Sequence, residues 1–476
     1  VKTVLFVAYY FPPILAPGAM RPLGFCRYLE TYGWRPWVLT TSPGSVYPPH
    51  QMDEELLGRL PPGLKIESVP YGNLLHRMIA FRDRLRRMLC NGRSLERTAH
   101  GALARSDASE GENSSGSTGR SAIKDLLLDW AFAFPDPQRP WFKASIRHLA
   151  SLRREEFPDA VIATGGPWTS YLIARALSRR FEVPLILDYR DPWTSNPYIS
   201  FGSSFLNHQA RQLERSICRE AARIVTNTED LRQRLCADYP EIAHKSLTIP
   251  NGFDREALGL MNASEGLTPS AKLASKEGYE LCHFGTLYGK RTPIKLLQAV
   301  KELYQDGQLT PGQIRLRFVG TWNAGDATCE TLAQDLEKQG VLRRESVVSH
   351  QRCVRQMKQA DILLVLQPDS PLQIPQKIYE YLAVGRPLLL IGGQGATAGL
   401  LARHQLNVGC QNDVASIKQL LHRLVGGELA LSPPPASAVE RFDYRTLTRE
   451  LAAQLDAVCG GYEQPIVQET PKYDAA

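Results

Sequence analysis

The sequence predicts an α/β protein made of two parallel-sheet halves, and three observations carry that expectation. At 476 residues the chain exceeds what one ordinary core holds. Short continuous apolar runs, as expected of strands buried on both faces, alternate with helical spacing along most of its length. A polar stretch at about 255–278, carrying Asn, Ser, Pro and Lys, separates one alternating series from a second.

Thr3 to Ala8 is a continuous apolar run and reads as the first strand. Pro12, Pro13, Pro17 and Gly18 then make a loop, Met20 to Tyr32 carries helical spacing, and Gly33 stops it. Trp37 to Thr40 is the next strand, completing a βαβ unit whose crossover should be right-handed. From about Leu74 to Ile123 the rhythm breaks. A basic segment at 75–89 leads into a Ser-, Gly-, Glu- and Asn-rich stretch, read as a disordered insertion at about 104–121. Beyond it, strands are expected at Ala160–Ala163, Pro184–Asp188, Arg223–Thr226 and Leu247–Ile249, with helices near Thr169–Arg179, Ser203–Ala222 and Glu229–Cys236. The second series places strands near Glu280–Phe284, Ile314–Val319, Ser346–Ser349, Ile362–Leu366 and Pro387–Ile391. The expected organisation is a first domain at 1–254, a linker at 255–278, a second domain at 279–440, a closing helix at 441–459 and a loose tail at 460–476.

Composition narrows the function classes. Hydrophobic residues at 43% and charged residues at 22% suit a globular protein rather than a disordered or membrane-spanning one. The net charge of +7 suits an anionic ligand or an anionic membrane surface, and without an RNA-binding signature or zinc-finger spacing it does not point to nucleic acid. The nine cysteines are scattered and form no C-x-x-C pair, which is the usage of reduced thiols in a cytosolic protein. The N-terminal apolar run has no signal-peptide core, and no run approaches the ~20 apolar residues that span a bilayer. A cytoplasmic protein, touching membranes at most peripherally, is the expectation.

Four stretches carry the chemistry. Tyr9-Tyr10-Phe11-Pro12-Pro13 runs on to Gly18-Ala19-Met20-Arg21, where a glycine entering a helix lets backbone approach a ligand and the helix N-terminus favours an anion. Asp188-Tyr189-Arg190-Asp191-Pro192-Trp193 puts two carboxylates and an arginine at a strand's carboxyl end. Either these face a polar ligand, or Asp191 caps a helix and Asp188 pairs with Arg190. Thr164-Gly165-Gly166-Pro167-Trp168-Thr169 ends the preceding strand and should line the same edge. Ile249-Pro250-Asn251-Gly252-Phe253-Asp254 contains an Asn-Gly turn signal. His283-Phe284-Gly285-Thr286-Leu287-Tyr288-Gly289-Lys290-Arg291 is strand, glycine loop and basic pair, the makings of a diphosphate site. Downstream, Gln367-Pro368-Asp369 ends a strand and is followed by Pro375-Gln376-Lys377-Ile378-Tyr379-Glu380-Tyr381-Leu382.

Together these stretches resemble the family-4 bacterial glycosyltransferases of GT-B architecture, in which two Rossmann-like domains face each other across a cleft. The resemblance implies a nucleoside-diphosphate sugar as donor, a UDP- or GDP-sugar, with no metal and no further cofactor. It places Gly285, Thr286, Gln373, Lys377 and Glu380 at the donor, with Glu380 accepting from the ribose hydroxyls. Lys290, Arg291 and Asp191 stand as the catalytic groups, no nucleophile being identified. Gly18, Arg21, Gly166, Asp188 and Arg190 fall on the cleft or acceptor side. Two positions depart from the family pattern: Thr286 stands where an arginine is common, and Leu372 where a second glutamate binds the donor sugar. The first leaves the diphosphate charge to Lys290 or Arg291.

The segment 75–89 alternates apolar residues with Arg77, Arg82, Arg84, Arg86 and Arg87, the pattern of a cationic amphipathic helix. Either it lies on an anionic membrane, fitting a polyprenyl-diphosphate-linked sugar as acceptor, or it packs on its own domain. The function implied is retaining transfer of a hexosyl or N-acetylhexosaminyl group to a hydroxyl in bacterial cell-surface polysaccharide or glycolipid assembly, including exopolysaccharide. The rivals are a sugar-nucleotide epimerase of the same fold and a non-catalytic nucleotide-binding scaffold. A dinucleotide-dependent oxidoreductase is set aside, because neither half opens with G-x-G-x-x-G after its first strand.

Overall fold

The computed structural model describes residues 1–46, 50–72, 134–196, 203–260, 278–287, 291–323, 327–368, 371–406, 408–429 and 431–460. The basic segment at 75–89, the expected insertion at 104–121, most of the expected linker, Lys290 and the tail beyond 460 lie outside the described residues. The chain divides into two compact units: Val1–Pro250 together with Thr448–Ala476, and Asn251–Leu447.

The first unit is a seven-stranded sheet in the order β3-β2-β1-β4-β5-β6-β7, every neighbouring pair parallel. Its strands are β1 (Lys2–Val7), β2 (Trp34–Thr41), β3 (Lys65–Val69), β4 (Ala160–Gly165), β5 (Leu185–Tyr189), β6 (Arg223–Thr226) and β7 (Ser246–Thr248). The helices between them are α1 (Pro17–Tyr28), α2 (Arg139–His148), α3 (Thr169–Phe181), α4 (Ser204–Glu220) and α5 (Glu229–Asp238). β1 lies between β2 and β4, and Val4, Leu5, Phe6 and Val7 are buried on both faces. Fully burying each such side chain contributes about 1.5–3 kcal/mol. This is why the run lacks polar residues.

The second unit repeats the plan with six strands in the order β10-β9-β8-β11-β12-β13, again all parallel. They are β8 (Tyr279–Phe284), β9 (Ile314–Val319), β10 (Leu342–Glu345), β11 (Ile362–Gln367), β12 (Leu388–Gly392) and β13 (Gly409–Cys410). Its helices are α6 (Ile294–Gln305), α7 (Ala327–Lys338), α8 (His350–Gln359), α9 (Gln376–Val384), α10 (Ala396–Arg403), α11 (Val414–Val425) and α12 (Ala436–Arg441). The last helix, α13 (Tyr444–Cys459), starts in this unit and from Thr448 belongs to the first. There Asp456 accepts from Lys2 Nζ at 2.9 Å and from Trp34 Nε1 at 3.2 Å.

Several expectations need correction. The strand expected at Ser346–Ser349 lies at Leu342–Glu345. Its sequence, Leu-Arg-Arg-Glu, is too charged to read as a strand, but Arg344 pairs with Glu330 and Glu337, and Arg317 on β9 pairs with Glu345. The helix expected at Met20–Tyr32 begins at Pro17, whose missing N–H is harmless in a first turn, and becomes a 3-10 turn from Leu29 to Tyr32. β3 and β13 are edge strands that the sequence reading did not find. A short helix that the sequence reading did not find, α12, stands just before α13, separated from it by Phe442 and Asp443. Among the described residues, no helix is long and apolar enough to cross a membrane.

Candidate functional site

In an open parallel sheet, ligands bind beyond the carboxyl ends of the strands where strand order reverses. In the second unit that point lies between β8 and β11, and most of the donor residues read from the sequence gather there. β8 ends at Phe284, and Gly285 follows with φ of 143°, a conformation that only glycine adopts readily. A side chain on the facing Gly320 would run into the Gly285 carbonyl, so the loops after β8 and β9 close on each other through two glycines. Gly285 N donates to the Val319 carbonyl at 2.9 Å and Leu287 N to the Thr321 carbonyl at 3.0 Å. Thr286 is thereby held out to solvent.

The ladder between β8 and β11 is short, with Leu281 opposite Ile362 and Cys282 opposite Leu363. Beyond it, His283 Nδ1 donates to the Leu364 carbonyl at 3.1 Å. Nε2 must then carry the lone pair, and it is buried with no partner. Burial pushes the imidazole down to about 4, and Arg291 and Lys377 add to that against the Leu364 bond, so the ring is neutral. Arg291 Nη2 donates to Gln367 Oε1 at 2.7 Å across the same point, and Gln367 Nε2 is likewise buried without a partner. Unsatisfied buried polar atoms cost about 1–3 kcal/mol each. Two of them stand side by side here, where a polar ligand would repay that cost.

α9 supplies the charged wall. Tyr381 Oη accepts from Phe284 N at 2.8 Å, pinning the helix to the end of β8. One residue earlier, Glu380 pairs with Lys377 Nζ at 2.8 Å and lies 3.5 Å from His350 Nε2. Burial alone would push the Glu380 carboxyl up. The Lys377 ammonium, then His350, overrule it and hold the carboxyl at about 2. The result is a fixed carboxylate, 16% exposed, with acceptor geometry for a diol. Leu372 and Gln373 are half-buried in the loop before α9, where the Gln373 carbonyl accepts from Thr397 Oγ1 at 3.3 Å. His350 escaped the sequence reading because it stands just past the misplaced strand.

The residues expected on the acceptor side split into two groups in the first unit. Arg21 and Asp188 form a buried pair, with Nη2 at 2.8 Å and Nε at 2.9 Å from Oδ1. Arg21 also donates to the Pro250 carbonyl at 2.7 Å and the Ile249 carbonyl at 2.8 Å. Its side chain is 1% exposed, so this arginine fastens α1, β5 and the end of β7 together rather than facing a ligand. The pairing of Asp188 is thus with Arg21 and not with Arg190. Arg190 instead reaches the carbonyls of Gly165 at 3.3 Å and Gly166 at 2.8 Å and lies 3.2 Å from Asp191. It lies against Gly18, where any side chain would meet the guanidinium, so the glycine makes room for that cation beside the first turn of α1. Asp191, at 36% side-chain exposure, is the most open of these charged groups. Trp193 stacks on Trp168 behind it, ring centroids 5.0 Å apart.

Two all-parallel sheets in two compact units, each with helices between its strands and a strand-order reversal, are the GT-B plan. Residues 115–252 match the family model of the glycosyl transferase 4-like domain. The chain has a GT-B fold, and its residues 115–252 are similar to the glycosyl transferase 4-like domain. Solved GT-B structures align along almost its whole length. The Anabaena protein HepE, in complex with UDP and glucose, superposes with a TM-score of 0.57 at 14% identity, covering 96% of this chain and 100% of that one. The lipopolysaccharide outer core galactosyltransferase WaaB in its apo form gives a TM-score of 0.54 at 12% identity, covering 96% and 97%. A UDP-N-acetylglucosamine 2-epimerase homologue from Listeria monocytogenes gives 0.53 at 10% identity, covering 98% of each chain. At such identities the likeness is one of fold. No curated protein sequence matches the chain.

Proposed function

We propose that this GT-B protein transfers a sugar, with retention, from a nucleoside-diphosphate sugar to a hydroxyl acceptor. The observation that carries the reading is the switch point of the second unit. There a carboxylate held ionised at Glu380 stands with Arg291, a glycine loop and two buried polar atoms awaiting partners. Glu380 takes the ribose hydroxyls. Arg291, with Lys290, stabilises the departing diphosphate, so that no metal is required. Asp191, the most open of the charged groups described at this edge of the first unit, and Arg190 beside it are the side chains assigned to the acceptor. A hexosyl or N-acetylhexosaminyl donor, and an acceptor in cell-surface polysaccharide or glycolipid assembly at the inner face of the membrane, complete the proposal. A polyprenyl-diphosphate-linked sugar is the acceptor that fits it.

Calorimetric titration with UDP, GDP, ADP and CMP, with and without magnesium, tests the reading. Metal-independent affinity for one nucleoside diphosphate is expected, and binding by none of them would overturn it. Leu372, standing where a sugar-binding glutamate is usual, favours a second reading as a nucleotide-binding scaffold. Tight nucleotide binding without donor cleavage or glycoside product would select the scaffold. An altered free sugar nucleotide would select the epimerase.

A further inference from the structure

Behind the Arg190–Asp191 loop sits a carboxylate that the proposed reaction does not use. Glu214 lies on α4 and is 1% exposed. Four hydrogen bonds converge on it. Oε1 accepts from Tyr189 Oη at 3.2 Å. Oε2 accepts from Tyr239 Oη at 3.1 Å, from the Thr194 hydroxyl in a short contact, and from Thr194 N at 3.4 Å. The donors come from β5, from the loop after it and from the end of α5. Every one is neutral, and among the described residues no cation is a hydrogen-bond partner. The titratable groups packed around the carboxyl are Tyr189 on β5, Cys218 on α4, Tyr171 on α3 and Tyr239 beyond α5.

The stretch Arg190–Thr194 that follows β5 is therefore tied at both ends. At its start, Asn227 Nδ2 donates to the Arg190 carbonyl at 2.6 Å. At its other end the only side-chain anchor among these bonds is Thr194 on Glu214. Asp191, Pro192 and Trp193 lie between the two ties.

We propose that Glu214 is a positioning residue for the Arg190–Asp191 loop, holding it through Thr194 in a way that changes when its carboxyl takes up a proton. The hydrogen-bond pattern has two consistent forms. When Glu214 is ionised, Tyr239, Tyr189 and Thr194 all donate to it, and the bonds to Thr194 are charge-assisted. When it is protonated on Oε2, its O–H donates to Tyr239 Oη, and the Tyr239 hydroxyl turns to the Arg211 carbonyl, already 3.3 Å away. Thr194 then keeps only neutral bonds, roughly half as strong as charge-assisted ones. Burial pushes the Glu214 carboxyl up to about 7, against the bonds from Thr194, Tyr239 and Tyr189, so the exchange falls in the neutral range.

The role assigned to this loop rests on the transferase reading, but the exchange itself does not. Near-UV circular dichroism of the stacked Trp168–Trp193 pair, recorded across pH 5 to 9 without any substrate, reports it directly. The intact protein should show a one-proton transition centred near pH 7. Glu214→Gln should remove it, and Tyr239→Phe, which deletes a bond to the carboxylate, should move it to higher pH. Thermal melts establish that each variant folds, and Tyr239→Phe decides the matter if Glu214→Gln does not. No transition in the intact protein, a transition that survives Glu214→Gln, or an unmoved midpoint in Tyr239→Phe would overturn the proposal. If the transition behaves as expected while no nucleotide binds, the transferase reading fails and the positioning of the loop stands.

Discussion

Glu214 in the first unit and Glu380 in the second are both largely buried, and they titrate in opposite directions. Glu214 is surrounded by hydroxyl groups and a backbone amide, and its carboxyl rises to about 7. Glu380, 16% exposed, faces the Lys377 ammonium at 2.8 Å, and its carboxyl falls to about 2. Neutral donors, even four of them, do not offset desolvation, whereas the Lys377 ammonium together with His350 does. The difference separates a carboxyl that sits behind a loop from one held ionised as a fixed acceptor. The sheets are alike in strand order, so topology gives each a switch point while neighbouring side chains decide the chemistry there.

Removing the cation should make the second glutamate resemble the first. Lys377→Met leaves Glu380 buried without its main partner, and a loss of about 3 kcal/mol in denaturant unfolding at pH 7 is expected. Part of it should return on moderate acidification, as the carboxyl protonates. A loss that does not depend on pH would break the comparison. In the intact protein the sign runs the other way. A carboxyl depressed from 4.5 to about 2 contributes stability that is complete above pH 4.5 and lost as pH falls towards 2. That acid limb should be shallower in Glu380→Gln by about 2–3 kcal/mol. Glu380→Ala should weaken binding of the preferred nucleoside diphosphate about tenfold to a hundredfold, read by calorimetry, because hydrogen bonds to charged groups contribute about 1.5–3 kcal/mol. Unchanged affinity would remove Glu380 from the donor site. The smallest effect belongs to Glu214→Gln. Its amide imitates the protonated carboxyl, so unfolding at pH 6 should shift by no more than about 1 kcal/mol.

Much of this molecule was legible in its sequence. Apolar runs such as Val4–Val7 and Leu363–Leu366 announce strands buried on both faces, and most element positions followed from them. Lys377 and Glu380 were singled out through the family resemblance, while their pairing at 2.8 Å, one turn apart on α9, came from the structure. The strand at Leu342–Glu345 was hidden because Arg344 is neutralised by Glu330 and Glu337 on α7, which no local pattern reveals. His283 was quoted within a motif, but its tautomer depends on the Leu364 carbonyl, 81 residues away.

The sequence by itself determined the α/β class, the two alternating series and the polar residues at the strand ends, because those follow from local periodicity and backbone chemistry. The tertiary structure alone decided which charges are available. Arg21 and Asp188, 167 residues apart, close on each other inside the first unit, while Arg190 and Asp191 stay near the surface. It also gave two glutamates opposite protonation behaviour. Desolvation and charge pairing are set by the groups that folding brings alongside, and those come from distant parts of the chain.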